Sequence, residues 1–224
     1  MHIYLIEAGP RLLAGMSEES SAHAEQFLRE MGVNILLNKR VVDYRDHKVV
    51  LEDGTEIATR TFIWVSGVTG VTIGNLDASL IGRGGRIKVD SFNRVEGMNN
   101  VFAIGDQCIQ LADENYPNGH PQLAQVAIQQ GELLAKNLIR MEKGQEMKPF
   151  HYRNLGSMAT VGRNRAVAEF SKVKMQGWFA WVMWLVVHLR SILGVRNKVI
   201  VLLNWVWNYF TYDQSMRMLS LIHI

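Results

Sequence analysis

The chain has 224 residues, 48% hydrophobic and 20% charged, enough for one well-packed core and a second small unit. Its formal charge of +3 comes from scattered basic residues with no aromatic–basic RNA motif, which excludes a nucleic-acid-binding protein. The single cysteine, Cys108, excludes an intrachain disulfide framework, a cysteine-based zinc site and any mechanism needing a redox dithiol.

The start, Met1 to Ile6, lacks the basic flank of a secretory leader and stops at Glu7. His2 to Ile6 instead reads as a compact strand. A carboxylate at such a strand end either binds ribose hydroxyls or is a solvated edge, and the residue alone leaves both open. Ser17 predicts a helix cap, with Glu18 and Glu19 in the first turn, a helix through Met31, and Gly32 at its end. Val33 to Val42 reads as the next parallel strand. Asp53-Gly54, between Lys48–Leu51 and Glu56–Thr59, predicts a two-residue hairpin. Thr61 to Ser66 (TFIWVS) reads as a buried strand running into Gly67, which is either a point of close backbone approach or a simple turn.

Asn75 to Gly85 is a glycine-rich connector and marks a domain crossover. Arg86 to Val89 and Val101 to Ile104 read as strands, with a turn region at Asn93 to Asn100. Val101 to Ile104 is expected to be a buried strand delivering Asp106 at its C-terminal edge, where open α/β sheets bind ligands. Gly105 removes the Cβ that would hold a ligand away, and Asp106 can accept hydrogen bonds from sugar or ribityl hydroxyls. Pro121 predicts a helix start, and the helix continues to Met141. Glu142 to Met147 is a charged link.

From Phe150 the character changes. Phe150 to Leu155 and Ala159 to Phe170 look like a strand pair. The tryptophan-rich runs Met175 to Val187 and Val199 to Tyr212 are each about 13 to 14 residues, below the roughly 20 that span a bilayer. Their Trp and Tyr residues, flanked by Lys172, Lys174, Arg190, Arg196 and Lys198, suit helices lying at a lipid surface. A helical hairpin buried on the protein, or a homodimer interface, is the alternative.

The motifs VFAIGDQC, LAQVAIQQG (Leu123 to Gly131) and FHYRNLGSMATVGRNRAVAEF (Phe150 to Phe170), with the tryptophan-rich segment, resemble the type II (non-proton-pumping) NADH:quinone oxidoreductases. No G-x-G-x-x-G occurs, so both of that family's phosphate-binding loops are missing, and the chain reads as the C-terminal part of a longer enzyme. The apolar end, Leu219 to Ile224, departs from the family pattern.

The resemblance implies an α/β fold: a partial two-dinucleotide-binding-domain (Rossmann-like) flavoprotein with a C-terminal α+β membrane-binding region. Residues 1–74 would be the remainder of an NADH-binding domain, 75–148 the C-terminal part of an FAD-binding domain, and 149–224 a membrane-anchoring, quinone-side domain. The implied cofactors are FAD and NAD. FAD would be held by Gly105, Asp106, Leu123, Ala124 and Gln125, and NADH by Glu7, Ser66 and Gly67.

A membrane quinone would be held by Gln125, Ile128 and Gln129, although paired glutamines on a helix equally serve to cap backbone groups or face solvent. No side chain need act as nucleophile, since the flavin performs the chemistry. The implied location is peripheral, on the cytoplasmic face of a bacterial inner membrane. Other pyridine-nucleotide oxidoreductases and an inactive membrane-associating fragment are the competing readings. His120, just before the helix, is either an ionisable neighbour of the flavin or an incidental loop histidine, and His188 is equally open. Arg163 and Arg165 either line the quinone entrance, bind lipid phosphates or sit in a solvated turn, and Cys108 is expected to be a buried packing residue.

Overall fold

The computed structural model describes residues 2–65, 67–71, 73–171 and 173–211; Ser66, Lys172, Tyr212 and Leu219 to Ile224 lie outside the described residues. In chain order the elements are β1 (Ile3–Ile6), α1 (Glu18–Glu30), β2 (Val33–Leu36), β3 (Val41–Arg45), β4 (Lys48–Leu51), β5 (Glu56–Ala58), β6 (Ile87–Val89) and β7 (Cys108–Gln110). There follow α2 (Ala124–Glu142), β8 (Ser157–Gly162), β9 (Arg165–Phe170), β10 (Val173–Gln176), α3 (Gly177–Ser191) and α4 (Val195–Thr211). Two compact units result, one from the residues up to Arg60 together with those from Gly156 onward, the other Thr61–Leu155.

In the first unit β1 and β2 pair in parallel with α1 between them, the β-α-β arrangement expected from the alternating pattern. Ser17 caps α1 as its sequence predicts, its side chain accepting from the Ser20 N–H, and Gly32 follows in the left-handed region at φ +81. The strand expected over Val33 to Val42 breaks at Leu36, because Asn38 takes φ +54 and turns the chain before β3. The hairpin at Asp53-Gly54 has a three-residue loop rather than two, since the Leu51 N–H meets the Thr55 carbonyl at 2.9 Å. Gly54, at φ +83, supplies the left-handed position that such a loop needs.

The same unit carries the antiparallel sheet β10-β9-β8, on which α3 packs. The strand expected over Ala159 to Phe170 is two strands, turned at Asn164 (φ +61). Ala166, Ala168 and Ala180 are fully buried, with Met158, Phe170, Met175 and Trp181 packed around them. Small residues on both faces bring helix and sheet close. By contrast, α4 buries no residue.

The second unit is built on parallel β6 and β7, with a core of Ile87, Val89, Val95, Ala103 and Cys108. Three sequence expectations fail here for one reason: a segment with strand character becomes a strand only where a neighbour supplies the ladder. Val101 to Ile104 forms a single bridge, Arg94 to Phe102, and the strand comes after the glycine, at Cys108–Gln110. Asp106 therefore sits in a 3-10 turn that precedes a strand. Residues 61–65 join no sheet, and Ile63 and Val65 are 73% and 89% exposed. Residues 150–155 join no sheet: the Phe150 N–H donates to the Ser91 carbonyl at 2.7 Å, and the Arg153 and Leu155 N–H groups donate to Gln129 and Gln125 of α2 at 3.0 Å each. Finally, α2 starts at Ala124, because the Leu123 N–H turns back to the Pro121 carbonyl at 2.9 Å.

Candidate functional site

The second unit brings the Gly105–Asp106 turn against the beginning of α2. Gly105 takes φ +66, and a Cβ there would lie 3.2 Å from the Ala127 side chain, so the glycine lets helix and turn touch. Its N–H donates to Gln130 Oε1 at 2.7 Å. Gln122 Nε2 donates to the Asp106 carbonyl at 3.3 Å, tying the loop that enters α2 to the same turn. Gln107 clamps a further segment, accepting from the Val71 N–H at 3.0 Å and donating to the Val71 carbonyl at 2.6 Å.

The Asp106 carboxylate is exposed and makes no hydrogen bond among the described residues. Beside it, α2 begins without a side-chain cap. An open carboxylate accepts hydroxyl hydrogen bonds, and an uncapped helix start favours negative charge. Leu123 and Ala124 are exposed there, and Ile128, one turn on, is 58% exposed. The donor set thus fits a molecule with a hydroxylated chain and a flat ring that gains negative charge.

The two candidate glutamines have partners in the following segment. Gln125 Oε1 accepts from the Leu155 N–H at 3.0 Å. Gln129 accepts from the Arg153 N–H at 3.0 Å and donates to its carbonyl at 2.9 Å. These amides stand in for the ladder that Phe150 to Leu155 lacks, and they hold that segment along the helix.

Glu7 lies in the other unit, directly after β1, with Oε1 accepting from the Gly9 N–H at 2.7 Å. That bond orients the carboxylate at the strand end. Gly67 takes φ +85, but an added Cβ would have nothing within 4 Å, so its backbone conformation rather than a close approach calls for glycine. Ser66 lies outside the described residues.

Sequence reasoning missed the buried polar frame behind the turn. Arg86 is buried and donates to the Cys108 carbonyl at 2.6 Å and the His120 carbonyl at 3.1 Å. Burial pushes the Cys108 thiol up, as suits a packing residue. His120 is 1% exposed, with Nε2 3.0 Å from Asp113 Oδ2 and its ring against Phe150, Tyr116 and Tyr152. The hydrogen bond from His120 holds the Asp113 carboxyl below the usual carboxylate range. One signal was available: Val126, Gln130 and Asn137 are the buried residues of α2, so two polar residues share its apolar face and mark buried partners.

At the C-terminal side, α3 and α4 present Trp178, Phe179, Val186, Leu203, Trp207 and Phe210 at 49% to 75% exposure. No helix of the described residues is long and apolar enough to cross a membrane. Arg163 stacks on Tyr209, 4.8 Å from the ring centroid, and donates to its carbonyl. His188 lies against Trp184, with ring centroids 3.8 Å apart.

Residues 1–131 match the family model for pyridine nucleotide-disulphide oxidoreductases, and residues 154–212 match the NDH2 C-terminal domain. The type II NADH:quinone oxidoreductase NdhA of Mycobacterium tuberculosis is 35% identical over 216 residues, covering 91% of this chain and 44% of its own length. An internal alternative NAD(P)H-ubiquinone oxidoreductase of Arabidopsis thaliana mitochondria is 32% identical over 227 residues, with 93% and 44% covered. Among solved structures, NDH2 from Plasmodium falciparum in complex with NADH superposes with a TM-score of 0.85 at 18% identity, covering 97% of this chain and 60% of that one. The chain therefore spans less than half the length of the curated relatives it matches.

Proposed function

Because the chain belongs to the pyridine nucleotide-disulphide oxidoreductases, and within them to the type II NADH:quinone oxidoreductases, we propose that it serves in a longer enzyme that passes electrons from NADH through FAD to a membrane quinone without pumping protons. The observation that carries this reading is the open Asp106 carboxylate held beside the uncapped start of α2. Bound FAD would supply the redox chemistry, accepting hydride from NADH and handing the electrons to quinone.

The chain's own residues bind and orient. Asp106 would accept hydrogen bonds from the ribityl hydroxyls, with Gly105 keeping the turn close to α2. The backbone at Leu123, Ala124 and Gln125 would face the ring edge where negative charge collects, and the helix start would stabilise that charge. Glu7, Ser66 and Gly67 are the proposed NADH contacts. A carboxylate at Glu7 favours ribose hydroxyls and repels a ribose phosphate, so NADH is preferred to NADPH.

Gln125, Ile128 and Gln129 form the proposed quinone seat. Ile128 offers exposed apolar surface for a flat ring, and the glutamines are uncharged, so they leave the flavin potential undisturbed. Residues 1–74, 75–148 and 149–224 are the proposed NADH-side, FAD-side and membrane-side parts of the parent. The exposed apolar faces of α3 and α4, flanked by Lys174, Arg190, Arg196 and Lys198, would rest on the cytoplasmic face of a bacterial inner membrane as a peripheral anchor. The same faces would serve a homodimer if they met each other.

The test is to purify the full-length gene product and record its visible spectrum and its NADH oxidation with a soluble quinone analogue. Flavin absorbance with quinone-dependent turnover is expected. A product without flavin overturns the reading. Since the chain spans 44% of its curated relatives, an inactive membrane-associating piece is the second reading, and vesicle binding without flavin would select it.

A further inference from the structure

Helix α1 is held at both ends by one strand of the C-terminal domain. At its start, the Ser17 N–H donates to Glu169 Oε1 at 2.9 Å and to Oε2 at 3.2 Å, and the Ser17 hydroxyl donates to the same carboxylate. At its end, Arg165 Nη1 donates to the Phe27 carbonyl at 3.4 Å, and Nη2 lies 3.3 Å from Glu30 Oε2. Glu169 and Arg165 both belong to β9. A helix start carries roughly half a positive charge and its end roughly half a negative one. The strand therefore offers an anion to the positive end and a cation to the negative end, which fixes direction as well as position. From β10, Lys174 adds a third tie, to Glu19 at 2.9 Å.

The start of α1 is also where the loop following Glu7 is anchored. Ser21 Oγ, one turn into the helix, donates to the Leu12 carbonyl at 2.6 Å. Arg11 donates to the Met16 carbonyl at 2.7 Å and to that of Ala14 at 2.8 Å. Leu12 and Met16 are buried beneath these bonds. At the other end of the loop, the Asn38 N–H donates to the Gly9 carbonyl at 3.0 Å, and the Lys39 N–H to that of Glu7 at 3.1 Å. The loop presenting Glu7 thus has two anchors: the exit of β2, and the first turn of α1 that Glu169 holds.

We propose that Glu169 is a positioning residue for the dinucleotide-binding loop, by which the C-terminal domain fixes the segment that presents Glu7. The proposal rests on the reading of Glu7 as a ribose ligand for its effect on turnover, but not for its effect on the loop. A carboxylate that fills the helix start satisfies donors left open by the helix and immobilises Ser17 and the turn behind it. Without it, the first turn of α1 keeps Lys174 on Glu19 and the Ser21–Leu12 bond but loses its hold on Ser17, so the loop samples more conformations and a ligand must order it on binding.

The experiment compares the full-length gene product with its E169Q and R165Q variants. Glutamine at 169 keeps an acceptor oxygen but removes the charge, and R165Q loosens the opposite end of the same helix. For E169Q the expected results are faster hydrogen exchange of the amides of residues 8–21 and a KM for NADH raised about three- to ten-fold, with kcat within about two-fold and the quinone KM unchanged. For R165Q, faster exchange is expected near Phe27 to Glu30, with the NADH KM unmoved. E169D, which keeps the charge, should restore most of the E169Q loss and also serves if E169Q folds poorly.

Unchanged exchange of residues 8–21 in E169Q overturns the proposal, as does an equal rise of NADH KM in R165Q. If the unaltered protein neither binds flavin nor oxidises NADH, the functional reading fails by itself. The exchange comparison then still decides whether Glu169 holds the loop.

Discussion

Gly105 donates its backbone N–H to the side-chain oxygen of Gln130 at 2.7 Å, and this bond sets the spacing between the acidic turn and helix α2. Gln130 is 1% exposed, and its amide nitrogen lies 3.6 Å from the Cys108 sulfur. An amide on the helix thus fixes both the turn and the strand β7 that follows the turn.

Replacing Gly105 by alanine combines two costs. The residue must keep φ +66, and its new Cβ must fit 3.2 Å from Ala127. Together they are worth about 1–3 kcal/mol. The expected outcome is a lower melting temperature and weaker flavin retention in the gene product. The Q130L variant removes the acceptor and leaves the Gly105 N–H bare, for a similar loss of about 1–3 kcal/mol. A G105A protein as stable as the parent would show that the turn does not need the left-handed conformation.

Gln125 is expected to separate the two halves of the catalytic cycle. In Q125L, quinone reduction should slow about ten-fold or more while flavin reduction by NADH stays within about two-fold, measured by stopped-flow absorbance. Stability should change little, since the acceptor lost to the Leu155 N–H lies at an exposed residue that water can serve. Equal slowing of both half-reactions would assign Gln125 only to holding the segment 153–155.

Asp113 gives the second unit a dependence on acid. Its carboxyl is held below the usual range by the hydrogen bond from His120, with help from the Asn115 N–H at 3.0 Å. A depressed carboxyl contributes stability that is present above its unfolded value and is lost as pH falls through its folded value. The loss should therefore begin below about pH 4 and continue downward. D113N should lower stability at neutral pH by about 1–3 kcal/mol and flatten this acid limb, as read from melting curves across pH. An acid limb unchanged in D113N would move its origin to other carboxylates.

What the sequence discloses follows the range of the interactions. The Ser17 cap and the Asp53-Gly54 turn are legible because their chemistry is complete within a few residues. The glycine–acid turn and the LAQVAIQQG segment of α2 are legible as a motif, and the chain does place them together. Val101 to Ile104 and residues 61–65 mislead because strand formation depends on neighbours that a local pattern does not supply. Arg86 and the Asp113–His120 pair are invisible for the opposite reason: polar side chains tolerate burial only through partners supplied by the tertiary fold, and Gln130 is marked only by its place on the apolar face of α2. Glu169 capping Ser17 across 152 residues is the extreme case.

The exposed face of α4 makes the last prediction. Leu203, Trp207 and Phe210 fall at helical spacing and are 63%, 64% and 75% exposed, along a groove of about 500 Å³ that Val206 and Asn204 also line. Each such side chain is worth about 1.5–3 kcal/mol when moved from water into an apolar phase, or about ten-fold or more in partitioning. Replacing all three by serine should weaken binding to anionic phospholipid vesicles by more than about 100-fold in a flotation assay. Folding should be spared, because α4 buries no residue. Arg190, Arg196 and Lys198 should add a component that salt removes, about 1 kcal/mol for each charge near the surface. If the triple variant instead keeps its vesicle binding and loses a dimer seen in lipid-free solution, the face is an interface between two copies, and the membrane contact must lie on α3.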